Sequence, residues 1–180
     1  MLVHRTALPD VYLLDLEPIE DARGFFARLW DPGELSRHGL RTALSHVSLS
    51  FNRRKGTLRG LHYQSAPMGE AKIVRCVRGA VFDVAVDLRE SSPTFTQWTG
   101  VELTAENRRA LYIPEGLAHG FQTLADDSEV MYFICGEYSR EHSRGVRWDD
   151  PAFAIAWPDD RRTINERDRT YPDFATVDPT

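Results

Sequence analysis

In Val81-Phe82-Asp83-Val84-Ala85-Val86-Asp87-Leu88, the residues Phe82, Val84, Val86 and Leu88 alternate with Asp83, Ala85 and Asp87. A period of two sets one row on each face of a pleated strand, whereas a helix would need recurrence at three and four residues. The strand follows Arg78-Gly79-Ala80, a turn tight enough to demand a glycine, and Lys72-Ile73-Val74-Arg75-Cys76-Val77 reads as the other arm of that hairpin. Outward from the hairpin, short β-rich runs recur at 11–16, 24–30, 45–52, 57–64, 97–104, 109–113, 118–124 and 129–138, with turn residues between them. Such spacing belongs to a sandwich or barrel rather than to βαβ units. One early helix is expected from Pro32 to His38, with Asp31 as N-cap, proline at the first helical position and Gly39 as the stop. The polar, charged segment 158–169 is expected to leave the barrel and pack across it as a mostly irregular or helical tail.

A chain of 180 residues with no repeat, low-complexity tract or composition shift reads as one domain, 1–180. The hydrophobic fraction of 42% and charged fraction of 27% suit a globular protein, and no apolar run approaches the roughly 20 residues that span a bilayer. Met1 to Thr6 lacks the basic patch and apolar stretch of a secretory signal, so a cytoplasmic protein with no membrane partner is expected. Cys76 and Cys135 sit in apolar runs without CxxC spacing and read as buried free thiols rather than a disulfide or zinc site. A net charge of −5 argues against a nucleic-acid partner, which needs a basic face. Arg53, Arg54, Lys55 and Arg59 nevertheless crowd together, leaving room for a small anionic ligand.

Gly56-Thr57-Leu58-Arg59-Gly60-Leu61-His62-Tyr63-Gln64 is unusually polar for a barrel strand. Strict alternation sends His62 and Gln64 to one face and Arg59 to the other, so Arg59 and His62 share a cavity only if Gly60 marks a bulge or Arg59 lies at the rim. Taken alone, His62 is as readily a structural histidine as a catalytic one. Lys72 shares its face with Val74 and Cys76, which aims its ammonium inward, although a strand-end lysine can also snorkel to solvent. Tyr132 lies on a strand one face of which looks into the barrel, and a buried tyrosine is by default structural.

Ile113-Pro114-Glu115-Gly116-Leu117-Ala118-His119-Gly120-Phe121 resembles the second motif of the cupins, P-x-G-x-x-H. Metal-binding cupins add an H-x-H and a glutamate from a first motif. The corresponding stretch here offers His62, Gln64, Glu70 and Lys72. A lysine ammonium repels a divalent ion and supplies no lone pair, so a metal is not expected, and no other cofactor is expected either. The strings Arg23-Gly24-Phe25-Phe26, GTLRGLHYQ at 56–64, Lys72 to Gly79, Phe82 to Arg89, IPEGLAHGF at 113–121 and Arg144 to Pro151 occur in order over nearly the whole chain. Together they resemble the dTDP-4-dehydrorhamnose 3,5-epimerase family. The resemblance implies an all-β, cupin-type jelly-roll β-barrel with a few short helices, a homodimer, and a nucleotide-diphosphate 4-keto-6-deoxyhexose as substrate, inverted at C3 and C5.

The resemblance also implies roles. His62 is the base, Asp168 orients its imidazole, Lys72 stabilises the enolate oxygen, and Tyr132 returns the proton on the opposite face of the ring. Arg23 and Arg59 resemble diphosphate contacts, and Phe26, Tyr138 and His119 join the substrate-binding candidates. The chain also departs from the family pattern. His46 and Ser48 stand where many members carry a sugar-contacting glutamine and asparagine, and Arg28 stands where a glutamate associated with base recognition is common. These three positions leave the sugar and the nucleotide base open, including a 3- or 5-monoepimerase. A metal-dependent cupin enzyme and a non-catalytic sugar-binding cupin are the readings from other classes.

Overall fold

The computed structural model describes residues 1–174. Thirteen strands run in chain order: β1 (Leu2–Arg5), β2 (Tyr12–Asp15), β3 (Ile19–Asp21), β4 (Gly24–Phe26), β5 (His46–Asn52), β6 (Leu58–Gln64), β7 (Ala71–Arg78), β8 (Ala80–Asp87), β9 (Trp98–Thr104), β10 (Ala110–Ile113), β11 (Leu117–Thr123), β12 (Ser128–Cys135) and β13 (Ser143–Gly145). Two short helices, α1 (Pro32–Arg37) and α2 (Glu166–Arg169), complete the described residues. A six-stranded sheet ordered β1-β2-β10-β7-β12-β5 faces a five-stranded sheet ordered β13-β6-β11-β8-β9, and all their strand pairings are antiparallel. The result is a jelly-roll barrel of the cupin type.

Strand β8 explains how the barrel fills. Val81 and Ala85 join Val74, Cys76, Leu103, Leu111, Phe121 and Val130 in the core between the sheets. On the other face Phe82, Val84 and Val86 pack with Leu61, Val146, Phe153 and Trp157, so the chain after β12 roofs the outside of the five-stranded sheet. The alternation is thus of period two with both rows buried, and Asp83 and Asp87 lie on the inner one. At the turn before it, Gly79 has φ +74° and an added Cβ would lie 2.4 Å from Ser128 Oγ, which is why glycine stands there.

Helix α1 forms where its cap predicts. Asp31 Oδ1 accepts from Glu34 N at 3.1 Å, proline opens the first turn, and Leu35 is buried against the outer face of the six-stranded sheet. The helix ends at Arg37, with His38 as C-cap. The expected 24–30 run is a strand only to Phe26, because Leu29 and Trp30 turn in to pack on that same outer face, Trp30 stacking on Phe133 at 5.8 Å. The 129–138 run likewise ends at Cys135. Strands β1, β3 and β13 fell outside every run read from the sequence; each has four residues or fewer.

Candidate active site

A cavity of about 360 Å³ opens between the sheets, lined by side chains from both. The bulge in β6 builds its first wall. His119 pairs with His62 and Phe121 with Arg59, so three steps on β6 match two on β11. Gly60 takes φ +119° there and lies so close to β11 that an added Cβ would be 2.6 Å from Gly120 Cα. The extra residue turns Arg59 and His62 to the same side, and both line the cavity.

Behind His62 stands the C-terminal tail. Asn165 caps α2 through its side chain, which accepts from Asp168 N at 2.7 Å. The helix delivers Asp168, 1% exposed, to the back of the imidazole. Asp168 Oδ1 is 2.7 Å from His62 Nε2, and Oδ2 accepts from Gly60 N at 3.0 Å. Burial alone would raise the carboxyl's pKa, but the hydrogen bonds from His62 and Gly60 and the nearby positive charge of Arg167 hold it below the usual range. A carboxylate so placed fixes the imidazole's orientation and steadies its protonated form, leaving Nδ1 as the other basic nitrogen.

The opposite wall comes from the six-stranded sheet. Lys72 on β7 points inward beside the core residues Val74 and Cys76, and its Nζ donates to Glu70 Oε1 at 2.7 Å. Tyr132 on β12 reaches into the same cavity, its hydroxyl 3.4 Å from Ser50 Oγ. Burial pushes its phenol well above the ordinary tyrosine range, so at neutral pH it is a proton donor. Imidazole and phenol therefore stand on different sheets, with the ammonium on the phenol's side.

His119 lies beside His62 on the neighbouring strand, with its Nε2 2.8 Å from Asp83 Oδ1, and both are buried. Asp83 was not among the candidates read from the sequence; the signal was the aspartate row of the 81–88 stretch, once that row is known to face inward. His46, Ser48 and Tyr138 also line the cavity, as do Glu70, Ser143 and Arg167. Arg23, Phe26 and Arg28 do not. Arg23 pairs with Asp21, Arg28 with Asp31, and Phe26 is 68% exposed on the β3–β4 hairpin. Among the described residues no three or more His, Cys, Asp or Glu side chains gather to hold a metal ion.

A jelly-roll barrel with a His–Asp pair on one wall and a protonated phenol and an ammonium on the other holds the groups that moving protons on a polar carbon skeleton requires, the chemistry of an isomerase. The family model described as dTDP-4-dehydrorhamnose 3,5-epimerase matches residues 5–176, and the chain belongs to that family. It is 41% identical over 179 residues to a dTDP-4-dehydrorhamnose 3,5-epimerase of Shigella flexneri, covering 99% of this chain and 98% of the relative. Among solved structures, a dTDP-6-deoxy-D-glucose-3,5-epimerase of Legionella pneumophila in complex with dTDP-4-keto-L-rhamnose superposes with a TM-score of 0.92 at 33% identity, over 98% of this chain and 94% of that one. ChmJ, a 3'-monoepimerase of Streptomyces bikiniensis solved with dTDP-quinovose, gives 0.89 at 32% identity, over 96% and 88%.

Proposed function

We propose that the protein inverts C3 and C5 of a nucleotide-diphosphate 4-keto-6-deoxyhexose, as the family name describes, with the dTDP-linked sugar as first candidate. The observation that carries this reading is the division of the catalytic groups between two walls, His62–Asp168 facing Tyr132 and Lys72. A C–H beside the C4 ketone breaks, its proton passes to His62, and its electron pair moves to the C4 oxygen, where the Lys72 ammonium offsets the charge. Tyr132 then returns a proton to the other face of the same carbon. The tyrosinate formed is strongly basic in its buried setting and recovers a proton from solvent while the His62 imidazolium releases its own to solvent, which resets both groups for the second carbon. Incubation with dTDP-4-keto-6-deoxyglucose in D2O should carry deuterium into both C3 and C5 with no effect of chelator. Label at C3 alone would favour the monoepimerase reading, for which the likeness to ChmJ is the support. No label with any 4-keto sugar nucleotide would sink the reaction class.

The protein acts, on this reading, as a homodimer. Along β5 the inward residues His46, Ser48 and Ser50 line the cavity, while the outward Val47, Leu49 and Phe51 are exposed, on a strand whose outer edge is unpaired. An apolar row facing water on an open edge is a surface for a second copy. Arg23, Phe26 and Arg28, which do not line their own cavity, are then available to the nucleotide end of the partner's. Cytoplasmic action belongs to the same reading. Its support is that Cys76 and Cys135 are both free and buried, and that no described helix is long and apolar enough to cross a membrane.

A further inference from the structure

Glu70 sits just before β7, where its carboxylate meets the Lys72 ammonium at 2.7 Å, and both side chains line the cavity while being 13% and 7% exposed. Its backbone is held from several sides. Arg41 donates to the Gly69 carbonyl at 2.9 Å, Gln64 Nε2 to the Met68 carbonyl at 3.0 Å, and Glu70 Cα lies against Gly136. The carboxylate's other oxygen accepts no hydrogen bond from the described residues.

The pairing has two consequences. Lys72 gives one of its three N–H donors to Glu70 and keeps two for an oxygen in the cavity. At longer range the ammonium's charge is nearly cancelled, since a pair of opposite charges at contact acts on a distant anion only as a dipole. Arg59 and Arg167 differ. Arg59 donates to Asn52 Oδ1 and the Phe51 carbonyl, Arg167 to Ser143 Oγ, and neither guanidinium is in contact with a carboxylate among the described residues, Arg167 acting on Asp168 only through its nearby charge. The other titratable groups lining the cavity with Lys72 are His46 from β5, His62 and Tyr63 from β6, His119 from β11, Tyr132 from β12, Tyr138 beyond it and Asp168 from α2.

We propose that Glu70 is a positioning and specificity residue, which holds Lys72 for the sugar's ketone and cancels its attraction for the diphosphate, leaving that group to the unpaired arginines. The proposal rests on the keto-sugar reading of the cavity. Its test does not need turnover: calorimetric titration of inorganic pyrophosphate into wild type, Glu70→Gln, and the double variant Glu70→Gln with Lys72→Met. Glutamine keeps the volume and a carbonyl acceptor for Lys72 while removing the charge, and an unaltered urea midpoint is the check that the fold is retained. Glu70→Gln should bind pyrophosphate about five-fold tighter than wild type, and the double variant should lose that gain. With the keto-sugar nucleotide, Glu70→Gln should lower kcat more than it raises KM, which simple loosening of the loop would not do. Equal pyrophosphate affinity in wild type and Glu70→Gln, including no binding to either, would overturn the proposal, as would a gain that survives the loss of Lys72. Failure of the wild type to exchange deuterium would remove the proposed reaction, while the pyrophosphate comparison would still decide what Glu70 does to Lys72.

Discussion

Asp168 is the residue on which the proposed base depends, and its environment sets two expectations. Its native pKa lies below the unfolded value of about 3.9, so the stability it contributes is present above that value and is lost as pH falls through the lower native one. Asp168→Asn should therefore flatten the fall of the urea midpoint below about pH 4. At pH 7 the same change, which removes the charge that steadies protonated His62, should lower the rate of deuterium exchange by about 10²-fold or more. Exchange within two-fold of wild type would remove Asp168 from the mechanism. Tyr132→Phe deletes the donor and leaves the base in place, so in a single turnover proton loss from substrate should outlast inversion; normal inversion would show that another group supplies the proton. His62 and Lys72 were legible in the sequence because each lies in a string that resembles the family's, whereas Tyr132 and Asp168 lie outside those strings and could be named only from the roles the resemblance implies. Asp83 was not, because alternation separates two rows without saying which one is inside, and here both are buried.

At the scale of elements, the bulge in β6 does most to shape the cavity, and it depends on two glycines in contact. An added Cβ at Gly60 would fall 2.6 Å from Gly120 Cα and 2.7 Å from the His119 carbonyl, at a φ of +119° that other residues rarely adopt. Gly60→Ala should cost about 3 kcal/mol or more, read from urea unfolding. It should also slow exchange in whatever protein still folds, by parting Arg59 from His62. A cost below about 0.5 kcal/mol would mean that the strands do not approach so closely. That Arg59 and His62 could share a cavity through a bulge at Gly60, or with Arg59 at the rim, could be stated from the pattern of 56–64, but which of the two holds could not, since register is set by the partner strand. The same limit hid β1, β3 and β13, whose three or four ladder positions leave no periodic signal. By contrast α1 is specified locally by its cap, and Asp31→Ala should cost about 1 kcal/mol, measurable in the same assay.

Across the whole molecule, the six-stranded sheet carries an imbalance that one copy of the chain leaves unresolved. Strand β5 is polar where it meets the cavity and apolar where it meets water, with Val47, Leu49 and Phe51 between 44% and 57% exposed. Arg23, Phe26 and Arg28, outside the lining of their own cavity, are the second feature, two arginines ion-paired with Asp21 and Asp31 and an exposed phenylalanine. The proposed dimer across β5 would cover that row and bring those three side chains to a second cavity, with the row at the centre of an interface that needs about 1,000 Å² or more. Wild type should sediment as a dimer. Placing two lysines in the row, Leu49→Lys together with Val47→Lys, sets charge against its own copy and should give a monomer. Both side chains point away from the cavity, so His62, Asp168, Tyr132 and Lys72 stay in place and the fold should be retained by circular dichroism. If the second copy supplies the nucleotide contacts, that monomer should show a KM raised about ten-fold or more, because losing one charge-assisted contact to phosphate removes about 1.5–3 kcal/mol of binding. A folded monomer with the wild-type KM would mean that each barrel binds its nucleotide alone, and Arg23 and Phe26 would then have no part in the site.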